Sequence, residues 1–461
     1  MSIRCLRHAP RLAALLAVFL ALSAPAVTRA NPFEKELPNG LRVIVKEDRR
    51  APPAVAMTWY RAGSMDETSA TTGVAHLLEH MMFKGTPTTG AGEFSRLVAA
   101  AGGRDNAFTS KDYTAYFQQV PKEKLEAMMA LEADRMRHLN LDPKEFEQEI
   151  KVVMEERRLR TDDEPQAMLY ERMNAVAFLA HPYRVPVIGW MSDLQSMSVQ
   201  DARDWYERWY VPNNATVVIV GDVDHEAVFR LAERYYGVLA PRTLPRRRPQ
   251  DEPLQTGIRR LTVKAPAELP VVFMAYKVPV LRDVENDVDP YALEMLAAIL
   301  DGHDAARLSK DLVREQRLAI SVGAGYAQIS RGPGLFYLQG SPSAGKTRAD
   351  LEAGFRAEIA RIARDGVSAD ELARAKAQLV AGEVYKLDSM FAQAMQIGQL
   401  ESAGISYRLD KRMIEKLQAV SAAQVQDVAT RYFRDAGLTV AELDPQPLPQ
   451  AAHSPSLATR H

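Results

Sequence analysis

The chain has 461 residues, of which 47% are hydrophobic and 25% are charged, as in a soluble globular protein. It is too long for one ordinary core, so two domains are expected. Its 58 basic and 59 acidic residues nearly cancel and form no long run of one sign. This balance gives no indication of binding to nucleic acid or to an anionic membrane.

Residues 1–30 are predicted to be a signal peptide. Arginines precede an apolar run at 12–22, which is short for a membrane span of about 20 residues, and small residues predict cleavage before Asn31. A retained membrane anchor is the alternative. The only cysteine, Cys5, precedes the run, so cleavage leaves a mature chain without thiols. In a Gram-negative host, the predicted location is the periplasm.

The first predicted domain, 31–241, alternates short β-rich runs with longer helical patterns. Helices are distinguished from strands by the period of their apolar residues and by the capping residues at their ends. Strands are predicted at 41–46, 55–61, 113–120 and 215–220, and helices at 72–83, 93–101, 122–138, 143–160, 165–178 and 199–209.

The same order of elements recurs after a linker at 242–256 that is rich in proline and arginine. Each half is therefore predicted to be an α+β domain, with a largely antiparallel sheet and helices packed on one face. A tail at 445–461 is predicted to be disordered. Within the second domain, 257–444, strands are predicted at 258–263, 271–276, 319–327, 334–340 and 438–443, and helices at 290–300 and 305–315.

The clearest chemical pattern is His76-Leu-Leu-Glu79-His80, in the predicted helix at 72–83. Residues four apart on a helix differ by about 40° around its axis, so both imidazoles can point at one ion, with Glu79 on the same side. A catalytic zinc site has three protein ligands and a fourth position for water. Paired histidines often have no ligand role, but this order is the inverzincin pattern.

A third ligand is available on the predicted helix at 143–160. Glu149 and Glu156 are seven residues apart and occupy nearly the same face, whereas Glu155 points elsewhere. Glu156 is predicted to be the ligand, and Glu149 to orient a histidine or tune the metal. Glu79 is predicted to take the proton of a metal-activated water, whose pKa is lowered toward about 7, during amide hydrolysis. His138, His181 and His225 lack metal-ligand spacing, and His303 is expected to lie in a loop or a helix cap.

The segment at 76–86, HLLEHMMFKGT, resembles the signature of the pitrilysin and mitochondrial processing peptidase family. In that family the third ligand follows the second histidine by some 76 residues, and 156 − 80 = 76 implies Glu156. The accompanying acidic residue, seven positions earlier, is Glu149. The resemblance covers nearly all of the mature chain and implies two related α+β domains, the first of which holds the metal.

A further resemblance concerns substrate binding. The segment at 103–109 is similar to the family strand whose edge binds an extended substrate by main-chain pairing. This implies that Asn106 and Ala107 contact the substrate, although the segment could instead be only a turn.

The second half departs from the family pattern. Many active relatives carry an Arg and a Tyr that contact substrate, in a segment similar to 307–322. Arg314 matches the Arg, but Ile320 stands near the position of the expected Tyr. This difference implies that another chain can supply substrate contacts.

The sequence therefore predicts an exported endopeptidase with one zinc ion per chain, acting on peptides or unfolded segments inside an enclosed chamber. The alternative is a weakly active or non-enzymatic subunit that needs a partner for substrate binding. The expected assembly is a homodimer, or a heterodimer with an inactive related subunit, and no nucleic-acid partner is expected.

Overall fold

The computed structural model describes residues 31–448. The predicted signal peptide and most of the predicted tail lie outside these residues. Within 31–448, no helix is both long enough and apolar enough to span a bilayer. The described chain forms two sheets with helices packed on them, which confirms the expected α+β class.

The first sheet has the strand order β1-β2-β6-β3-β5-β4, which places β4 at one edge. All neighbouring strands are antiparallel except β2 and β6. The strands are β1 Phe33–Glu36, β2 Arg42–Glu47, β3 Pro53–Tyr60, β4 Arg104–Thr109, β5 Thr114–Pro121 and β6 Ala215–Gly221. The helices are α1 Val74–Met81, α2 Glu93–Ala100, α3 Leu125–His138, α4 Pro143–Arg157, α5 Pro165–Ala177, α6 Met191–Ser196, α7 Val199–Trp209 and α8 His225–Tyr235.

The second sheet has the order β7-β11-β8-β10-β9. This repeats the order of β2 to β6 in the first sheet, including one parallel pair, β7 with β11, so the expected recurrence is confirmed. The strands are β7 Arg259–Pro266, β8 Val271–Val278, β9 Ala319–Tyr326, β10 Gly334–Pro342 and β11 Leu438–Gln446. The helices are α9 Asp289–Asp301, α10 Arg348–Asp365, α11 Ala369–Lys386, α12 Met390–Ala403, α13 Asp410–Ala419 and α14 Ala422–Tyr432.

Helices cover both faces of the first sheet, because alternate residues of a strand point to opposite sides. On β3, Ala54 and Ala56 join the core that contains the buried leucines of α1. Val55 and Met57 join the core that contains Ile397 of α12, a helix of the second half. The expectation of helices on one face therefore holds only for the helices of the same half.

The second sheet is covered in the reciprocal way. Its β8 residues Phe273 and Ala275 pack with Leu169 and Met173 of α5, a helix of the first half. The neighbouring β8 residue Met274 points to the other face, toward the core formed with α9 and α10. Each half therefore buries an apolar sheet face of the other half.

Several boundaries differ from the sequence prediction. Strand β1 and helices α6 and α8 were not predicted, and no bounds were predicted for α10 to α14. The predicted helix at 143–160 ends as the π-helical turn Arg158–Asp162. The prediction that the disordered tail begins at 445 is wrong, because β11 continues to Gln446. Pro445 and Gln446 still pair in parallel with the end of β7, and this pairing keeps them in the sheet.

Candidate metal centre

Helix α1 is fixed at its N-terminus by the chain around it. Gly73 precedes the helix with φ 90°, and a Cβ at this position would lie 2.6 Å from the carbonyl oxygen of Ile188. The carboxylate of Glu67 accepts hydrogen bonds from the Gly73 and Ala75 amides, each 2.9 Å long. Burial raises the pKa of Glu67 to about 8. These contacts hold the start of α1 and so determine where its histidines point.

The two faces of α1 have different surroundings. Leu77 and Leu78 are fully buried and anchor the helix in the core of the first half. His76, Glu79 and His80 occupy the other side and line a cavity of about 650 Å³. The amphipathic spacing of the sequence thus separates residues that pack from residues available for chemistry.

The three predicted ligands converge. His76 Nε2 lies 3.9 Å from Glu156 Oε2, and His80 Nε2 lies 3.4 Å from the same oxygen. All three ligand atoms lie within 4.8 Å of one another. Helix α4 brings Glu156 to the site by packing beside α1. Two imidazole nitrogens and one carboxylate oxygen form a donor set found in catalytic zinc sites, so these residues fit the ion.

His80 is oriented by Glu149. Its Nδ1 lies 2.8 Å from Glu149 Oε1, while Glu149 Oε2 lies 2.5 Å from Lys84 Nζ. The hydrogen bond with His80 lowers the pKa of Glu149 to about 2. Burial lowers the pKa of His80, but the hydrogen bond with Glu149 and the nearby carboxylates outweigh it, and the net pKa is raised. With Nδ1 donating to Glu149, Nε2 is free to bind a metal.

His76 has a less polar environment. Burial lowers its pKa to about 3, so its imidazole is neutral at pH 7. Its Nδ1 is buried without a hydrogen-bond partner among residues 31–448. The neutral form is the one that binds a metal, and no proton has to be removed before His76 acts as a ligand.

Glu79 lies beside these ligands and has a contact of its own. Thr109, at the end of β4, donates a hydrogen bond of 2.6 Å from Oγ1 to Glu79 Oε2. Burial raises the pKa of Glu79. A carboxylate with a raised pKa is suited to accept and return a proton near neutral pH.

Only two of the three predicted substrate residues line the metal cavity. Asn106 and Ala107, on the edge strand β4, line the cavity next to the candidate ligands. Arg314 does not line it; its exposed side chain donates from Nη1 to the Asp304 carbonyl, at 2.6 Å. Every residue that lines this cavity comes from the first half of the chain.

Some contacts at the site were missed by the sequence analysis. Lys84 and Thr109 were recognised only as parts of motifs, and nothing in the spacing indicates that they touch Glu149 and Glu79. Arg160 lies 2.5 Å from Glu156 Oε1 through its Nη1. Its position four residues after Glu156 is a signal that could have identified this pair.

Another group of possible ligands occurs at the start of α8. Atoms of Glu47, Asp224 and His225 also lie within 4.8 Å of one another. However, Asp224 caps the helix by accepting from the Ala227 amide at 2.8 Å, and Glu47 accepts from the backbone of His225 at 3.0 Å. Capping and a carboxylate–histidine contact account for this cluster.

Comparison with known proteins gives the family. The model of the Insulinase (Peptidase family M16) family matches residues 42–189, which include all the candidate metal residues. The model named Peptidase M16 inactive domain matches residues 196–379.

Related proteins span nearly the whole chain. Zinc protease PqqE of Helicobacter pylori is 31% identical over 448 residues, covering 94% of this chain and 98% of that protein. The mitochondrial-processing peptidase subunit beta of Lentinula edodes is 26% identical over 433 residues, covering 91% of each. The crystal structure of a protease from Helicobacter pylori matches with a TM-score of 0.85 and 29% identity, covering 90% of this chain and 99% of that one. The chain therefore belongs to peptidase family M16.

Proposed function

We propose that this chain is a zinc-dependent endopeptidase in which His76, His80 and Glu156 hold one zinc ion. The observation that carries the proposal is the convergence of their three ligand atoms in the cavity that Glu79 also lines. The name zinc protease, which a relative with 31% identity carries, supports the identity of the metal. A zinc ion bound there supplies Lewis acidity and lowers the pKa of a bound water toward about 7.

The remaining residues perform distinct tasks in this proposal. Glu79 accepts the proton of the attacking water and returns it to the leaving amine. The hydroxyl of Thr109 holds the Glu79 carboxylate in place through its 2.6 Å hydrogen bond. Glu149 keeps the His80 ring in the orientation that presents Nε2 to the metal.

The substrate is proposed to bind as an extended peptide along β4. This strand pairs only with β5 within the described chain, so its outer edge can accept another strand. Asn106 and Ala107, on β4, line the cavity that contains the candidate ligands, so this edge borders the cavity. Because an added strand must be extended, the proposed substrates are peptides or unfolded segments.

The proposed location is outside the cytoplasm. The pattern of basic, apolar and small residues at 1–30 supports a cleaved signal peptide. N-terminal sequencing of the protein from its own host tests this, with Asn31 as the expected first residue. Recovery of the protein with residues 1–30 attached would contradict it.

A second candidate is an enzyme that needs another chain for full activity. The metal cavity has no lining residue from the second half, and the second family model to match the chain is named an inactive domain. A homodimer, or a heterodimer with an inactive related subunit, would supply the missing contacts. The test is specific activity as a function of protein concentration, with and without a candidate partner. Activity per chain that stays constant on dilution would argue against it.

The metal assignment is tested by the zinc content of purified variants. His76→Ala and Glu156→Ala are expected to lose stoichiometric zinc, because each removes one of three ligands. Glu155→Ala is the matched control, since Glu155 is exposed on the same helix and pairs with Arg158 instead. If Glu156→Ala retained stoichiometric zinc, the third ligand would have to be another carboxylate.

A further inference from the structure

A second cavity, the distal cavity, lies in the second half of the chain between α9, α11, α12 and α13. Its volume is about 410 Å³, within the range of about 300–1,000 Å³ that small-ligand sites occupy. It shares no lining residue with the metal cavity. Most of its wall is apolar and includes Tyr291, Tyr326, Leu379, Phe391, Met395 and Leu417.

Two of the three carboxylates in this wall have polar partners. Glu383 pairs with Lys386, 2.6 Å from its Nζ, and accepts from Gln396 Nε2 at 3.1 Å. Asp410 accepts from the same Gln396 nitrogen at 2.6 Å. Both carboxylates therefore have hydrogen-bond or ion-pair partners within the wall of the cavity.

The third carboxylate, Glu294 of α9, has no such partner. Among residues 31–448 it makes no hydrogen bond or contact ion pair, and burial raises its pKa to about 7. Glu294 is partly buried, and a desolvated carboxylate without a partner costs free energy, because polar groups removed from water in folded proteins are nearly always hydrogen-bonded. A polar group that lines a cavity without a partner is available to a ligand.

The charge of the lining favours a cation. Glu294, Glu383 and Asp410 are opposed by a single basic lining residue, Lys386. The aromatic faces in the wall also attract cations, and the apolar surface accepts a hydrocarbon. We propose that the distal cavity binds an organic cation with an apolar body, such as an alkyl or aryl amine, whose ammonium group donates to Glu294.

The same chemistry is present in a free amine and in the side chain of a lysine within a peptide. A central cavity of about 320 Å³ lies between the two sites. It shares Ile329 and Gln399 with the distal cavity. It shares Lys111, Tyr170 and Asn174 with the metal cavity. If a peptide binds along β4 as proposed above, a lysine side chain that reaches through the central cavity is one source of the cation.

Calorimetric titration of the full mature chain carrying Glu79→Gln tests the proposal without hydrolysis. The probes are 4-phenylbutylamine and its neutral counterpart, 4-phenylbutanol. The amine is expected to bind at least about tenfold more tightly, because only its ammonium group carries a positive charge and can form an ion pair with the Glu294 carboxylate. Glu294→Gln is expected to remove this preference. Glu415→Gln is the control, because Glu415 is exposed on α13 and pairs with Arg412.

A second variant tests the cavity rather than its charge. Ala392→Phe places a ring in the distal cavity and is expected to block the amine while leaving Glu294 in place. Equal binding of amine and alcohol, no binding of either, or unchanged amine binding in both variants would overturn the proposal. None of these results depends on zinc, so they test the distal cavity independently of the metallopeptidase proposal.

Peptide kinetics with the active chain then identify the source of the cation. If a substrate side chain occupies the cavity, 4-phenylbutylamine raises KM for lysine peptides but not for their norleucine counterparts. If a free amine is the natural ligand, both KM values stay the same while the amine still binds. Either result supports the site, provided that Glu294→Gln abolishes the amine binding.

Discussion

Glu79 and Glu149 both lie beside the candidate ligands, but their contacts imply different roles. Glu79 accepts a hydrogen bond from Thr109 and lines the metal cavity. Glu149 contacts His80 and Lys84, on the side of the ring away from Glu156. One carboxylate is therefore available to the substrate, whereas the other acts through a ligand.

Glu79→Gln is expected to retain zinc and to lower kcat by about 100-fold or more, because the substitution removes a proton acceptor but not a ligand. Zinc content and peptide cleavage are measured on the same preparation. Glu155→Gln, at an exposed position, is the control and is expected to match the unmodified chain. Substantial residual cleavage by Glu79→Gln would refute its role as the base.

Glu149→Ala is expected to weaken zinc affinity by about 10–100-fold, since it releases the His80 ring and removes the nearer of the two carboxylates that pair with Lys84. Competition with a chromogenic chelator measures the change. Glu145→Ala is the matched control. Glu145 is on α4, like Glu149, and its carboxylate lies 3.8 Å from Lys84 Nζ, but His80 pairs with Glu149 instead. If both variants lost zinc affinity equally, the loss would come from the changed surroundings of Lys84 and not from release of the His80 ring.

The candidate ligands could be predicted from sequence because helical spacing places them. His76 and His80 share a face of one helix, and Glu149 and Glu156 share a face of another. The hydrogen bond between Thr109 and Glu79 could not be predicted in this way, because it joins a strand end to a helix 30 residues away along the chain. Such contacts depend on tertiary packing and leave no local pattern.

At the scale of single elements, the contact between α12 and β3 is unusually close. A Cβ added at Gly398 would lie 1.9 Å from Cε2 of the buried Trp59. Gly398 is in the interior of α12, where helix propensity alone would favour alanine. Packing on the first sheet, and not the conformation of the helix, therefore requires glycine here.

Gly398→Ala is expected to destabilise the chain by about 1–3 kcal/mol, as overpacked cores do. Gly382→Ala is the control: Gly382 is in the interior of α11, and its added Cβ would meet nothing within 4 Å. The control is expected to stabilise by about 0.5–1 kcal/mol. Denaturant unfolding compares the two, and equal changes would show that Trp59 does not limit the space.

The sequence patterns located most strands to within a few residues, because their apolar periods are clear, but they gave bounds for only half of the α-helices. They missed β1, a strand of 4 residues, which is too short to show a period. They also placed an ordinary helix at 305–315, where the structure has the π-helical segment Ser309–Glu315. Irregular helices retain amphipathic spacing, so the pattern alone does not distinguish them.

For the whole molecule, the two halves are joined by exchanged helices and by a buried ion pair. Helix α12 covers a face of the first sheet, and α5 covers a face of the second. Asp66 and Arg331, from different halves, are both nearly inaccessible to solvent, and their charged atoms lie 2.7 Å apart. Removal of either half would leave an apolar face and a buried charge uncovered.

We therefore expect the fragment 31–256, produced alone, to lack a cooperative thermal transition even though it contains every candidate metal residue. Co-production with the fragment 257–448 is expected to restore both the transition and zinc binding. Calorimetry and metal analysis measure these outcomes. If 31–256 alone unfolded cooperatively with bound zinc, the proposed domain boundary would delimit an independent unit, and the exchange of helices would not be essential.

The recurrence of two α+β halves could be predicted from the order of elements, and the matching strand orders confirm it. The exchange of α5 and α12 could not be predicted. An amphipathic helix indicates that one face is buried, but its sequence does not say which sheet covers that face. The same limit explains why the distal cavity, formed between α9 and the consecutive helices α11 to α13, was not predicted.

The most direct test of the metallopeptidase proposal is to measure zinc content and cleavage of a quenched peptide library with the purified chain from Asn31 onward. Both are measured before chelator treatment, after it, and after zinc is returned. The account predicts one zinc ion per chain, with cleavage that is lost on chelation and restored by zinc. A chain that binds no zinc, or whose cleavage survives removal of its metal, would contradict the account.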